Sequence, residues 1–210
     1  MPETLTREHL IVGEGDADRA FFNALLQERK IDGFQVLAPA GGRQFGVRLR
    51  AIRGATGFKH VKTILLVADN DIDPTASFQQ VRAEIRAAGG YGVPDAVLQP
   101  ATAQNHPSVR IMMLPRAGQP GCLETIVLES LLIEVPTLRE CLNDYLKCTP
   151  AVGWDQSKQA KMRLQCLIAA TCKVDPNCSL THLWSSKKKL RQLLTYAPFD
   201  EITEILGAIA

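Results

Sequence analysis

The sequence predicts an α/β fold: a mostly parallel, doubly wound sheet of about four strands flanked by helices, with a helical extension toward the C-terminus. Three observations carry this. Short apolar runs alternate four times with helix-period stretches, the pattern of βα units that wind a parallel sheet. The run "VKTILLVAD" is continuous in Ile, Leu and Val, as burial on both faces of a strand requires. Beyond about residue 122 the strand pattern stops and only helical stripes remain. The expected organisation is an α/β core over 1–120 and a helical extension over 121–210, packed together as one structural unit.

Taken in order, "HLIVGE" (9–14) reads as a short buried strand ending in an acid between two glycines. "DADRAFFNALLQERK" places Phe21, Phe22, Leu25 and Leu26 on one helical stripe, with Asp16 as the expected N-cap. "GFQVLAPAGG" reads as a second strand closing in a glycine turn. Phe45, Leu49 and Ile52 recur at i, i+4 and i+7, which predicts a second helix with its arginines on the far face. "VKTILLVAD" is the third strand. Phe78, Val81 and Ile85 stripe a third helix that Gly89 and Gly90 end, and "VRIMMLP" (109–115) is the fourth strand. The segment 94–108, rich in Pro, Ala, Gln and Ser, is expected to be an exposed excursion. The helical half carries its stripes in "CLETIVLESLLIE", "TLRECLNDYLK", "KMRLQCLIAA" and "FDEITEILGAI".

Composition narrows the class. With 46 % hydrophobic residues and a net charge of +2, the chain has material for an ordinary globular core. No apolar run approaches the roughly 20 residues needed to cross a bilayer. The opening stretch lacks the apolar region of a signal peptide, and none of the six cysteines forms a C-x-x-C pair. The expectation is a reducing, cytoplasmic protein with no membrane partner. Cys166, Cys172 and Cys178 near His182 are spaced irregularly for zinc and are read as thiols of the core. Trp154 and Trp184 are likewise read as core residues, with base stacking the alternative.

Charge is more informative locally. Residues 43–62 hold Arg43, Arg48, Arg50, Arg53, Lys59 and Lys62 without a single acid, and "SKKKLR" (186–191) is a second basic knot. Such stripes suit a polyphosphate backbone, because each neutralised phosphate releases counterions; a solvated helix face is the plainer alternative. The near-zero total charge argues against tight coating of nucleic acid.

The acids are arranged differently. In "LLVADNDIDP" (65–74) a greasy strand runs into Asp69, Asp71 and Asp73 at every second position. An EF-hand loop would need glycine and then a bidentate glutamate where Pro74 and Gln80 stand, so that reading fails. Capping of the next helix accounts for one aspartate well and three poorly. A strand ending in D-x-D is also similar to haloacid-dehalogenase phosphatases, although there the motif belongs to the first strand. The pattern that fits best is Glu14 at the end of one strand with D-x-D at the end of a neighbouring one. Carboxylates packed on an open sheet edge repel unless a cation joins them, and oxygen ligands suit Mg²⁺ or Mn²⁺.

"VGEGDADRAF" followed by "LLVADNDID" resembles the Toprim domain of topoisomerases, primases and OLD-family nucleases, which pairs a strand ending in E-G with one ending in D-x-D. "EGDAD", the glycine pair at 41–42, "GCLETIV" (121–127) and "SKQAKMRLQCLIAA" (157–170) extend the likeness to small stand-alone Toprim proteins grouped with the OLD-like nucleases. The resemblance implies a Rossmann-like Toprim fold and a metal-dependent nuclease acting on DNA or RNA. It implies Glu14 as metal ligand and general base or acid, and Asp69 and Asp71 as metal ligands. Asp18 stands where a second acid supports a two-metal site, with ions about 3.5 to 4 Å apart. Glu124 matches a further acid, while Cys122 takes the place of a frequent serine. Lys161, or alternatively Lys158, would neutralise the pentacovalent phosphate. Asp73 would be an additional acid behind the ligands.

Departures from the family bound the reading. The chain has no topoisomerase tyrosine setting or gate domains, no G-x-x-x-x-G-K-[ST] segment and no primase zinc module. The resemblance implies a bacterial defence or repair setting in which a neighbouring ATPase is the partner, and it leaves oligomerisation open. Two other classes remain open from the residues: a phosphatase for small phosphoesters, and a non-catalytic Toprim interaction module. Gly15 is expected to be the residue that lets the chain turn from strand into helix.

Overall fold

The computed structural model describes residues 4–37, 44–173, 175–184 and 191–210. Arg43, the glycine pair at 41–42 and residues 186–190 of the second basic knot lie outside them. Four strands, β1 (His9–Val12), β2 (Phe34–Leu37), β3 (Thr63–Asp69) and β4 (Ser108–Leu114), form one sheet in the order β2-β1-β3-β4. Every pairing is parallel, with Val12 opposite both Leu37 and Leu66, and Asp69 opposite Leu114. The α/β class with a parallel sheet flanked by helices is as the sequence predicts.

Alternation along the central strands sorts the chain into two cores. Ile11, Leu65, Val67, Met112 and Leu114 point to one face. There they meet α1 (Asp16–Arg29) and the helices of the second half, α4 (Leu123–Glu134), α5 (Leu138–Lys147), α6 (Gln156–Thr171), α7 (Leu180–Leu183) and α8 (Asp200–Gly207). Leu10, Val12, Ile64, Leu66, Ile111 and Met113 point to the other face, under α2 (Phe45–Arg53) and α3 (Pro74–Ala88). Central strands buried on both sides explain why β3 reads as one unbroken apolar run. Arg29 ties the two halves together by donating to the Leu194 carbonyl (2.7 Å) and to Asp200 (2.7 Å).

Phe21 packs against Phe22, Trp184 and Phe199. Trp184 is therefore core, whereas Trp154 is 48 % exposed and is not. Cys172 and Cys178 are buried in the same core. The 94–108 segment is more than an excursion: Leu98 donates to the Ile111 carbonyl, and Ala101 exchanges two backbone hydrogen bonds with Val109. It covers the outer edge of β4, which would otherwise present unpaired backbone.

Strand order reverses between β1 and β3, so the crevice of a doubly wound sheet opens beyond their carboxyl ends. The turn from β1 into α1 there differs from the sequence expectation. Gly15 has φ −158°, an extended conformation open to any residue, and a Cβ on it would meet nothing within 4 Å. Gly13 is the constrained position, because its Cβ would lie 2.4 Å from that of Asp18. Asp16 is the first residue of α1 and pairs with Arg19, while Asp18 reaches back to accept the Gly15 amide at 2.8 Å. Folding Asp18 under the turn thus requires glycine two residues before the helix caps.

Gly13→Ala is expected to cost about 2 kcal/mol or more by overpacking, lowering Tm by roughly 4–8 °C for a chain of this size, while Gly15→Ala is nearly neutral. Thermal unfolding of the two variants checks this; equal losses would show that the turn is constrained elsewhere.

Candidate metal centre

Two short clips build the carboxyl edge of the sheet. Glu14 leaves β1 and its Oε1 accepts the backbone amide of Asp69, the last residue of β3, at 2.9 Å. The first acid is thereby held against the end of the neighbouring strand. Beyond Asp69 the chain turns through Asp71 in the left-handed region (φ 51°), and Asp71 exchanges two backbone hydrogen bonds of 2.8 Å with Gly121. Gly121 has φ 136°, and a Cβ there would lie 2.8 Å from Thr125 Oγ1, so only glycine suits. This bridge delivers the N-terminus of α4 to the site, where the Leu123 amide donates to Asp69 Oδ1 at 3.0 Å.

Asn70, between the two aspartates, holds the turn from beneath. It is fully buried; its amide donates to the Leu114 carbonyl, its Nδ2 donates to the carbonyls of Arg116 and Gln119 at 2.7 Å each, and its carbonyl accepts the Ser77 hydroxyl. Sequence reasoning passed over Asn70. Its only signal was a carboxamide standing between two acids, a residue type suited to bonding several backbone groups at once.

Asp69, Cys122 and Glu124 come together here, with one potential ligand atom from each all within 4.8 Å of one another. Glu14 stands outside that group, held beside it by the Asp69 amide, and the charges of Glu14 and Asp18 are felt at Asp69. The electrostatics follow. Burial, then the charges of Glu14, Asp18 and Glu124, push the Asp69 carboxyl well above the ordinary range, and the Leu123 amide opposes them. Burial raises Asp18 to about 6, with Glu14 and Glu124 adding to it. Burial, Glu124 and Asp69 push the Cys122 thiol up to about 12. Partial burial draws the Lys161 ammonium down, but Glu124, Cys122, Asp69 and Asp71 outweigh it and hold its pKa above the ordinary lysine value. Lys161 therefore faces the acids, whereas Lys158 pairs with Asp155, the cap of its own helix, at 3.0 Å.

The donor set fits a divalent cation: buried carboxylates that repel one another, with Lys161, among the described residues, the cation that feels them. Cys122 was expected only as a substitute for serine; its sulfur lies in the same 4.8 Å group, but burial and the neighbouring acids keep it a thiol, so the carboxylate oxygens carry the fit.

Other candidate residues make contacts of their own. Asp73 is exposed and caps α3, its Oδ1 accepting the Ala76 amide at 2.9 Å. The basic stripe does not run along the acids. α2 descends from the carboxyl edge toward the start of β3, so Arg53 and Lys59 sit toward the opposite edge from Asp69. Arg50 and Arg53 donate to the carbonyls of Ala87 and Gly89, capping the end of α3. Arg48, half-buried in mid-helix, is the nearest of the described arginines in the stripe to the start of α2.

Comparison with known proteins gives three findings. No curated protein matches the sequence. Among solved structures, the chain is similar to the C-terminal region of the OLD protein of Xanthomonas campestris pv. campestris. One such structure, phased with iodine, has a TM-score of 0.43 and 18 % identity, and a second, phased with mercury, a TM-score of 0.42 and 15 % identity; each match covers 96 % of this chain and 95 % of that one. The third finding is a family model, "Protein of unknown function (DUF3226)", which matches residues 8–192. With most of its length matched, the chain belongs to the DUF3226 family.

Proposed function

We propose that this protein is a divalent-metal-dependent nuclease that hydrolyses phosphodiester bonds of DNA or RNA. The observation that carries the reading is the convergence of Asp69 and Glu124, from β3 and α4, within 4.8 Å of each other and of Cys122, on an edge where the Asp69 amide holds Glu14 alongside and Lys161 feels the acids' charge. The Toprim resemblance of the sequence supports it.

Asp69 and Glu124 would hold the ion, with Glu14 and the Cys122 thiol beside them and Asp18 and Asp71 within the same field. A bound divalent ion supplies Lewis-acid polarisation of the phosphoryl oxygen and a lowered pKa for attacking water. Glu14, oriented by the Asp69 amide, would accept the proton of an attacking water. Lys161 places a fixed positive charge where charge develops on phosphorus. The phosphatase reading fits less well. It needs Asp69 as a nucleophile, yet that carboxyl is buried and its Oδ1 is taken up by the Leu123 amide.

The same geometry has a cost in stability. Asp18 has an ordinary value of 3.8 and stands at about 6, so the folded chain keeps a proton that the unfolded chain releases. A carboxyl raised in this way contributes its stability below its ordinary pKa and loses it as pH rises through the folded value. Asp69 acts in the same direction. Without metal, the site weakens the fold at neutral pH, and a cation offsets the repulsion by binding the native state.

Two outcomes are expected. Between about pH 4 and pH 7 the metal-free wild type should lose roughly 2–3 kcal/mol relative to Asp18→Asn, the equivalent of about two pKa units at 1.36 kcal/mol each. Denaturant titrations at both pH values measure this, and parallel curves would refute the assigned burden. Purified protein with Mn²⁺ or Mg²⁺ should cleave plasmid, single-stranded DNA or RNA, with Glu14→Ala and Asp69→Asn slower by at least about 100-fold. Cleavage unaffected by both substitutions, or absent on all three substrates with either metal, would contradict the proposal.

A further inference from the structure

Behind the metal centre, a cleft of about 270 Å³ opens between α4, α5 and α6. Its walls include Gln119, Thr125, Glu129, Arg139, Gln156 and Arg163. Two guanidinium groups thus face one polar space. Arg163 is pre-ordered: its Nη2 donates to Asn143 Oδ1 at 2.8 Å, while its buried Nε has no acceptor. Burial and the charge of Arg139 both push the Arg163 pKa down, the mark of like charges held together. Among the described residues neither arginine forms an ion pair. Glu129, the acid in the wall, lies 3.8 Å from Arg116, and Asp144 and Asp155 on the flanking elements pair with Lys147 and Lys158.

We infer that this cleft is a phosphate-binding subsite in which Arg139 and Arg163 clamp an anionic phosphate group. Guanidinium pairs match phosphate oxygens through planar, multiply donating edges, and two of them in a confined polar space exceed what one carboxylate neutralises. The cleft shares its wall with the metal centre. The Gln119 carbonyl is bonded by Asn70, between Asp69 and Asp71, and the Thr125 hydroxyl accepts the amide of Cys122. On the nuclease reading, the phosphate held by the arginines belongs to the strand bound at the acids. This rests on the nuclease reading for the identity of the strand, while the anion chemistry of the cleft stands independently. Gln159, also in the lining, is anchored by its Nε2 to the carbonyls of Val152 and Trp154.

The test compares wild type, Arg139→Gln and Arg163→Gln. Arg139 is exposed, so its variant keeps the fold even if Arg163→Gln is destabilised. Binding of a fluorescent single-stranded oligonucleotide is followed by anisotropy with Ca²⁺ in place of the active metal, across a salt series. Melting shifts are recorded in parallel with inorganic phosphate and, separately, with Mn²⁺. The expected result is a roughly 5- to 20-fold loss of oligonucleotide affinity in Arg139→Gln, with the slope of log K against log salt smaller by about 1, and an unchanged Mn²⁺ shift. Equal binding and equal salt slope in all three proteins would overturn the subsite and leave the nuclease reading standing. If wild type ignores the oligonucleotide but gains a phosphate-induced melting rise that Arg139→Gln loses, the anion subsite holds with free phosphate as its ligand, and the nuclease reading is what fails.

Discussion

The hydrogen bond from the Asp69 amide to the Glu14 carboxylate spans the ends of the two central strands, and the arrangement around it depends on that contact. Parallel pairing of β1 with β3 brings the strand ends together, but register alone leaves Glu14 free to turn toward solvent. The bond fixes its direction. It uses a backbone donor at the very residue whose side chain is the second acid, so one peptide unit sets the relative placement of both. The backbone exchange between Asp71 and Gly121 then brings in α4 with Cys122 and Glu124. The β1–β3 ladder and the Asp71–Gly121 exchange join three segments far apart in sequence through the backbone, and the Glu14 carboxylate is the side-chain acceptor added to them.

That scaffold holds a concentration of negative charge that the fold itself disfavours. Asp69 and Asp18 are raised mainly by burial and further by neighbouring acids, and the Leu123 amide and Lys161 offset only part of it. A bound cation would relieve an electrostatic cost of this kind. The helix carrying Lys161 belongs to the second half of the chain, so the helical region supplies site chemistry as well as core. Phe21 against Trp184 and Phe199, and Arg29 against Leu194 and Asp200, show how that half is attached to the first helix of the sheet.

The sheet was legible because burial on both faces leaves an unmistakable trace in β3, and α2 and α3 were legible from Phe45, Leu49, Ile52 and from Phe78, Val81, Ile85. Glu14 and Asp69 could be placed at strand ends because strand boundaries follow from the apolar runs. What could not be read depends on contacts distant in sequence. Gly13 rather than Gly15 is the required glycine because Asp18 folds back beneath it, a clash visible only in three dimensions. Asn70 carries no pattern of its own, since its partners are carbonyls more than forty residues away. The basic stripe reads as one patch in sequence, but helix direction carries Arg53 and Lys59 away from the acids and α3 engages Arg50 and Arg53. Among the three aspartates, Asp73 is the helix cap, which a spacing of two residues cannot distinguish from a ligand.

The central claim is that Glu14, Asp69 and Glu124 form one cation site. The most direct measurement is anomalous diffraction from crystals of the protein soaked in Mn²⁺. The account predicts a manganese peak within coordination distance of Asp69 and Glu124, on the side facing Glu14. A manganese peak elsewhere, or saturating Mn²⁺ that leaves this edge without one, would contradict it.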